Sequence, residues 1–188
     1  DGMAGGAEEE DDASLLARVL IAIRTPAHGG AAHDYSAWIQ NSFAAAKVAP
    51  VPLWVGPGSV AAVVAMGSAV APRAPIPAEI DAMAAHLDLV RPVTAEVYVI
   101  PAELLAVPLK IAVVPDTAPV RAAVEAAALA HFAAEAGIGL RFPRSRLSEA
   151  ISAASGEYRH YFDLPPADIV PARQQLPVLG AVTWETAP

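Results

Sequence analysis

Imidazole and carboxylate groups lie close together in sequence at His28, His33 and Asp34, and both are good ligands for zinc or iron. Their spacing does not make a ligand set. His28 falls in the turn His28-Gly29-Gly30, His33 opens a helix, and Asp34 lies in that helix's first turn, where a carboxylate suits the dipole. A capping and loop role is expected, with a small metal-dependent or acid/base enzyme using His28, His33 and Asp34 as the alternative. His160, Asp163 and Asp168 form a second group with the residue types of acid/base catalysis. Alternation along a strand puts His160 and Asp163 on opposite faces, which leaves His160 as a half-buried strand histidine beside Tyr158 and Phe162. No serine is expected next to a convincing base.

Gly56-Pro57-Gly58-Ser59-Val60-Ala61 formally matches a dinucleotide fingerprint, but that motif must follow a strand and open a helix whose N-terminus receives the pyrophosphate. Here a second apolar run follows, so the glycines read as the turn of a hairpin between 51 to 55 and 60 to 66. Neither a P-loop nor a G-x-S-x-G elbow occurs. The expectation is a non-enzyme with no catalytic residue, no cofactor and no metal. Trp54, beside the hairpin tip, and Tyr161, opposite the apolar face of its strand, are the two large side chains expected to face partners.

The elements that would position these residues follow from periodicity. Ser14 is a plausible cap for a helix carrying Leu15, Leu16, Val19, Leu20 and Ile23, and a short helix from about Ala32 puts Tyr35, Trp38 and Ile39 on one side. After the hairpin and an Ala/Pro-rich loop, Pro77 opens a helix with Ile80, Met83, Leu87 and Val90 at helical spacing. Residues 93 to 100, rich in β-branched side chains and bounded by Pro92 and Pro101, read as the strand on which the chain pivots between two modules. A strand over 104 to 114 comes next. Asp116-Thr117 then offers a cap for an Ala-rich helix whose Val120, Val124, Ala128 and Phe132 form one stripe and which Gly137 stops. A shorter helix with Leu147 and Ile151 closes at Gly156, and strands around Tyr158 to Asp163 and Val178 to Trp184 complete the chain. The fold class is α+β: two small consecutive modules, each with βαβ-type packing of sheet and helix. Residues 1-26 form an acidic lead-in and connecting helix, 27-101 the first module and 102-188 the second.

Composition narrows the function classes. The formal net charge is −8 over 188 residues, and the run Glu8, Glu9, Glu10, Asp11, Asp12 carries five of those charges, so −8 + 5 leaves −3 elsewhere. The 12 Lys and Arg are dispersed, without the basic cluster of a nucleic-acid binder. Cysteine is absent, which excludes disulfides and thiolate metal sites. No apolar run approaches the roughly 20 residues of a membrane span. The chain opens Asp1-Gly2-Met3 without a signal-like apolar region and is expected to be the C-terminal part of a longer polypeptide. Each module is under about 90 residues, a size at which packing against neighbours adds needed stability.

An ordered series of short motifs resembles the baseplate J-like family of contractile phage tails. It runs from Gly2-Met3-Ala4-Gly5-Gly6 through Leu15-Leu16-Ala17-Arg18-Val19-Leu20, Pro26, Gly29-Gly30, Asp34-Tyr35 and Trp38 to Pro52-Leu53-Trp54 with Gly56-Pro57-Gly58. Arg91-Pro92-Val93-Thr94-Ala95, Pro115-Asp116-Thr117, Ile151-Ser152-Ala153-Ala154-Ser155-Gly156-Glu157 and Leu179-Gly180 continue it. One departure is that Gln40-Asn41-Ser42-Phe43-Ala44-Ala45-Ala46-Lys47 stands where the family usually has a Val-Pro-Gly-Val type turn and an aromatic strand. The resemblance implies a structural baseplate wedge protein without catalysis or cofactor. Its implied partners are other baseplate and tail proteins and copies of itself in a ring. Its implied places are the virion tail baseplate and, during assembly, the host cytoplasm.

Overall fold

The computed structural model describes residues 29–188. The acidic lead-in, the helix expected from Ser14 and His28 lie outside the described residues. The described chain opens with α1 (Ala32–Ser42), β1 (Ala45–Pro52), β2 (Ser59–Ser68), β3 (Ala71–Arg73), α2 (Pro77–Val90) and β4 (Glu96–Pro101). β2 is central: β1 and β3 pair with it antiparallel, and β4 pairs with it in parallel after the crossover through α2. Parallel neighbours need such a crossover, and here a helix supplies it.

The sequence of β2 explains its place. Every residue from Ala61 to Met66 is buried, the near-continuous apolar pattern of a strand covered on both faces. Ala62, Val64 and Met66 point to one side and pack with Tyr35 and Ile39 of α1 and Met83 and Leu87 of α2. These helical pairs are four residues apart, so each helix turns one stripe to the sheet. Ala61, Val63 and Ala65 point the other way, into the second half of the chain.

That half holds β5 (Glu103–Val114), α3 (Ala118–Glu135), α4 (Arg144–Ser152), β6 (Arg159–Leu164) and β7 (Gln175–Trp184). β5 lies between β6, antiparallel, and β7, parallel. Its Val107, Leu109, Ile111 and Val113 share one buried cluster with Val120, Val124, Ala128 and Phe132 of α3 and Leu147 and Ile151 of α4. The same cluster includes Ala61, Val63 and Ala65 of β2, so the two sheets are joined by one core. Lys47 reaches across the join, donating from Nζ to the carbonyl of Ala134 at 3.4 Å.

Several boundaries differ from the expectation. The first hairpin strand starts at Ala45, six residues before the expected Val51, because Ala45 to Pro52 pair with β2 although five of its eight residues are alanine or proline. The Ala/Pro-rich loop contains β3, paired to the end of β2. The pivot strand starts at Glu96. Residues 93 and 94 form a turn, and Val93 is 98% exposed, so β-branching there has no sheet to join. Thr117 is the residue before α3 but its side chain makes no capping hydrogen bond, and Asp116 instead pairs with Arg121. α3 ends at Glu135, and no left-handed glycine at 137 closes it.

Two consequences can be measured. Phe132 is buried and stacks on Phe142 with centroids 4.4 Å apart. Phe132→Ala is expected to lower unfolding free energy by about 3–5 kcal/mol in chemical denaturation, the usual effect of emptying such a site. At the start of α2, Glu79 accepts the Ile76 amide and a two-pronged bond from Arg73, which ties β3 to the helix. The Arg73 guanidinium, and then the Ile76 amide, hold the Glu79 carboxyl down at about 2. A lowered folded pKa stabilises above the unfolded value, and that contribution disappears as pH falls through the folded one. Glu79→Gln should therefore lessen the loss of thermal stability between about pH 4.5 and 2.

Candidate functional site

The His33 and Asp34 pair is used by the fold. The Asp34 carboxylate is buried and accepts the amides of Gly30 at 2.7 Å and Ala31 at 2.9 Å, which satisfies donors at the open end of α1. His33 Nε2 lies 3.5 Å from the other carboxylate oxygen. Among the described residues no cluster of three His, Asp or Glu side chains could hold a metal ion.

The Gly56-Pro57-Gly58 turn is the tip of the antiparallel β1–β2 hairpin. Gly56 and Gly58 take φ of 150° and 83°, conformations open to glycine. Leu53 also takes a positive φ of 57°. The tip is held by Ser59, buried, whose Oγ accepts from the amides of Val55 and Gly56 and donates to the Gly56 carbonyl at 2.6 Å. Trp54 is half-buried here with the Arg173 guanidinium 3.9 Å over its ring, a contact between the tip and the second module. Leu53 and Val55 on either side are 65% and 63% exposed.

The second expected group separates. Asp163 is bound by Lys110 at 3.0 Å, which keeps its carboxyl below the usual range; Lys110 also binds Glu185 at 2.6 Å. Asp168 accepts the first amide of α4, that of Arg144, at 3.0 Å. His160 takes neither. It faces the helices beside Phe162, with ring centroids 5.3 Å apart, while Tyr158 lies outside β6 and is 84% exposed.

The expectation that no serine sits beside a base is corrected by the structure. Ser148 Oγ is 2.8 Å from His160 Nε2, and His160 Nδ1 is 2.8 Å from Glu157 Oε1. A carboxylate only accepts, so Nδ1 carries a hydrogen toward Glu157, and in the neutral ring Nε2 then accepts from the Ser148 hydroxyl. The side chains of His160 and Glu157 are 10% and 4% exposed. Local folding builds this chain of bonds. Leu147 and Ile151 turn α4 to the core and set Ser148 at its edge. A turn with Gly156 at φ 81° then reverses the backbone into β6. The three residues span thirteen positions, so a helix, turn and strand reading held the signal. Pairing His160 only with carboxylates further on missed it.

A cleft of about 610 Å³ runs along the β6 edge and is lined by Ala112, Arg144, Ser148, and His160 to Asp163 together with Glu185 and the chain-terminal Thr186 and Pro188. Arg144 donates to the carbonyls of Pro165 at 2.8 Å and Phe162 at 3.1 Å, and its guanidinium lies 4.6 Å from the Phe162 ring centroid. Tyr161 lies on the outer face of β6, level with Ala112 of β5, and Arg159 stacks over its ring at 5.1 Å.

These features define a protein of interlocked sheets in which most carboxylates act as fasteners. Residues 27–101 match the Baseplate J-like central domain, and residues 107–185 match the Baseplate J-like protein C-terminal domain. The chain belongs to the baseplate J-like family. It is similar to the Mu-like prophage FluMu protein gp47 of Haemophilus influenzae, 28% identical over 97% of this chain and 54% of that protein. It is also similar to the protein JayE of Escherichia coli K12, 31% identical over 98% of this chain and 70% of that protein. The chain thus spans about half the length of the first relative. No helix among the described residues is long and apolar enough to cross a membrane.

Removing the Ser59 hydroxyl orphans the two amides at the hairpin tip. Ser59→Ala is expected to cost about 0.5–1.5 kcal/mol in denaturant unfolding, the net worth of such a hydrogen bond at a tip where water can reach the freed amides.

Proposed function

We propose that this chain is a structural piece of a phage or prophage contractile-tail baseplate, a wedge component that works through protein-protein contacts in baseplate assembly. The observation that carries this reading is the succession of two baseplate J-like matches along one chain. The relatives' printed names, one of them a Mu-like prophage protein, agree with it. In this reading 27-101 and 102-188 are the two modules. Their partners are other baseplate and tail proteins and neighbouring copies in a ring, and the protein resides in the tail baseplate after assembly in the host cytoplasm. Repetition around a ring lets modest contacts hold together, because each bond made raises the effective concentration for the next.

Within that role, the partner-facing surface includes Tyr161 on the outer face of β6 and the hairpin tip around Trp54. Arg173 covers one side of Trp54, so the apolar surface offered at the tip comes chiefly from Leu53 and Val55.

The test is incorporation into particles. Tagged full-length protein expressed during prophage induction should co-sediment with tail-tube, spike and wedge proteins identified by mass spectrometry. Leu53→Asp and Tyr161→Ala should reduce incorporation at least several-fold with melting temperatures close to the parent's. Particles of normal composition assembled in cells lacking the gene would reject the reading.

A further inference from the structure

The hydrogen-bonded chain Ser148, His160 and Glu157 has no part in the proposed assembly role, and its chemistry is specific. A hydroxyl bonded to one imidazole nitrogen, with the other nitrogen held by a carboxylate, is the arrangement of nucleophile, base and orienting group that activates serine. Both bonds measure 2.8 Å, and the base and its orienting group are nearly fully buried, so the imidazole is held in place between the hydroxyl and the carboxylate. Ser148 itself is only partly buried and lines the cleft along β6. The cleft volume, about 610 Å³, falls in the range of small-ligand sites. Arg144, one helical turn before Ser148, lines the same cleft with the carboxylates of Asp163 and Glu185, and Phe162 adds an apolar wall.

We propose that Ser148 is an activated nucleophile that takes the acyl group of small carboxylic esters bound in this cleft, with His160 as its base and Glu157 as the positioning residue. Ser148 Oγ forms a bond to the ester carbonyl carbon while its proton passes to His160 Nε2. The bond from that carbon to the alcohol oxygen breaks, and the departing alcohol takes the proton back from Nε2. Water, deprotonated by His160, then attacks the Ser148 ester, releasing the carboxylic acid and restoring the serine hydroxyl. Ser148 lies within α4, so its own amide is committed to the helix ladder and does not donate to an oxyanion. Donors of that kind supply about 10²–10³-fold in serine hydrolases. Covalent capture is therefore the sensitive readout, ahead of turnover.

The experiment exposes the whole protein to an alkyl fluorophosphonate, in which serine displaces fluoride from phosphorus, and to p-nitrophenyl acetate. Sites are located by peptide mass spectrometry. Ser145 and Ser152 are exposed on the same helix and serve as internal controls. The expected result is selective modification of Ser148, slowed about 10²-fold or more in His160→Gln and slowed to a smaller degree in Glu157→Gln. Modification of Ser148 no faster than of Ser145 and Ser152 overturns the proposal from the parent protein alone, whatever the stability of the variants. Undiminished labelling in folded His160→Gln also overturns it and leaves Ser148 as a mechanical tie between α4 and β6.

Discussion

The burial of β2 on both faces is the constraint from which the rest of the architecture follows. Six consecutive residues, Ala61 to Met66, are removed from water, and a strand in that state needs an apolar layer above and below it. α1 and α2 supply one layer. The other comes from the second half of the chain, through a cluster that also contains β5, α3 and α4. Alternating alanine and valine on the shared face keep the layers close. The division into two modules in sequence thus does not produce two independent cores.

Around this core, polar groups act mainly as ties within turns and between neighbouring elements. Glu79 joins β3 to α2, Asp168 holds the first turn of α4, Lys110 joins β5 to Asp163 of β6 and to Glu185, and Ser59 holds the hairpin tip. Exposed ion pairs contribute little individually to stability. Their value is in orientation: they set how loops and helix ends project from a stiff centre. That suits the proposed role, in which the chain presents surfaces to neighbours. The Ser148, His160 and Glu157 chain differs from these ties in joining a hydroxyl to an imidazole and a carboxylate.

Much of this was legible beforehand. The 3.6-residue stripes of α1, α2, α3 and α4 and the glycine turn of the first hairpin followed from spacing, since each depends on neighbours within a few positions. The family was visible in an ordered series of motifs along nearly the whole chain. Strand limits were less legible. Pairing with β2 rescues the alanine-rich start of β1, while Val93, β-branched and apolar, stays outside the sheet at 98% exposure.

Local pattern thus determined the helices, the hairpin, the α+β class and the rejection of a dinucleotide site, because periodicity and turn chemistry are written in adjacent residues. Folding decided that the two sheets share a core, that Arg173 covers Trp54, and that Ser148 meets His160. Each of these depends on which face a segment turns toward another. That orientation is settled by the competition for burial across the whole chain, which no short window of sequence contains.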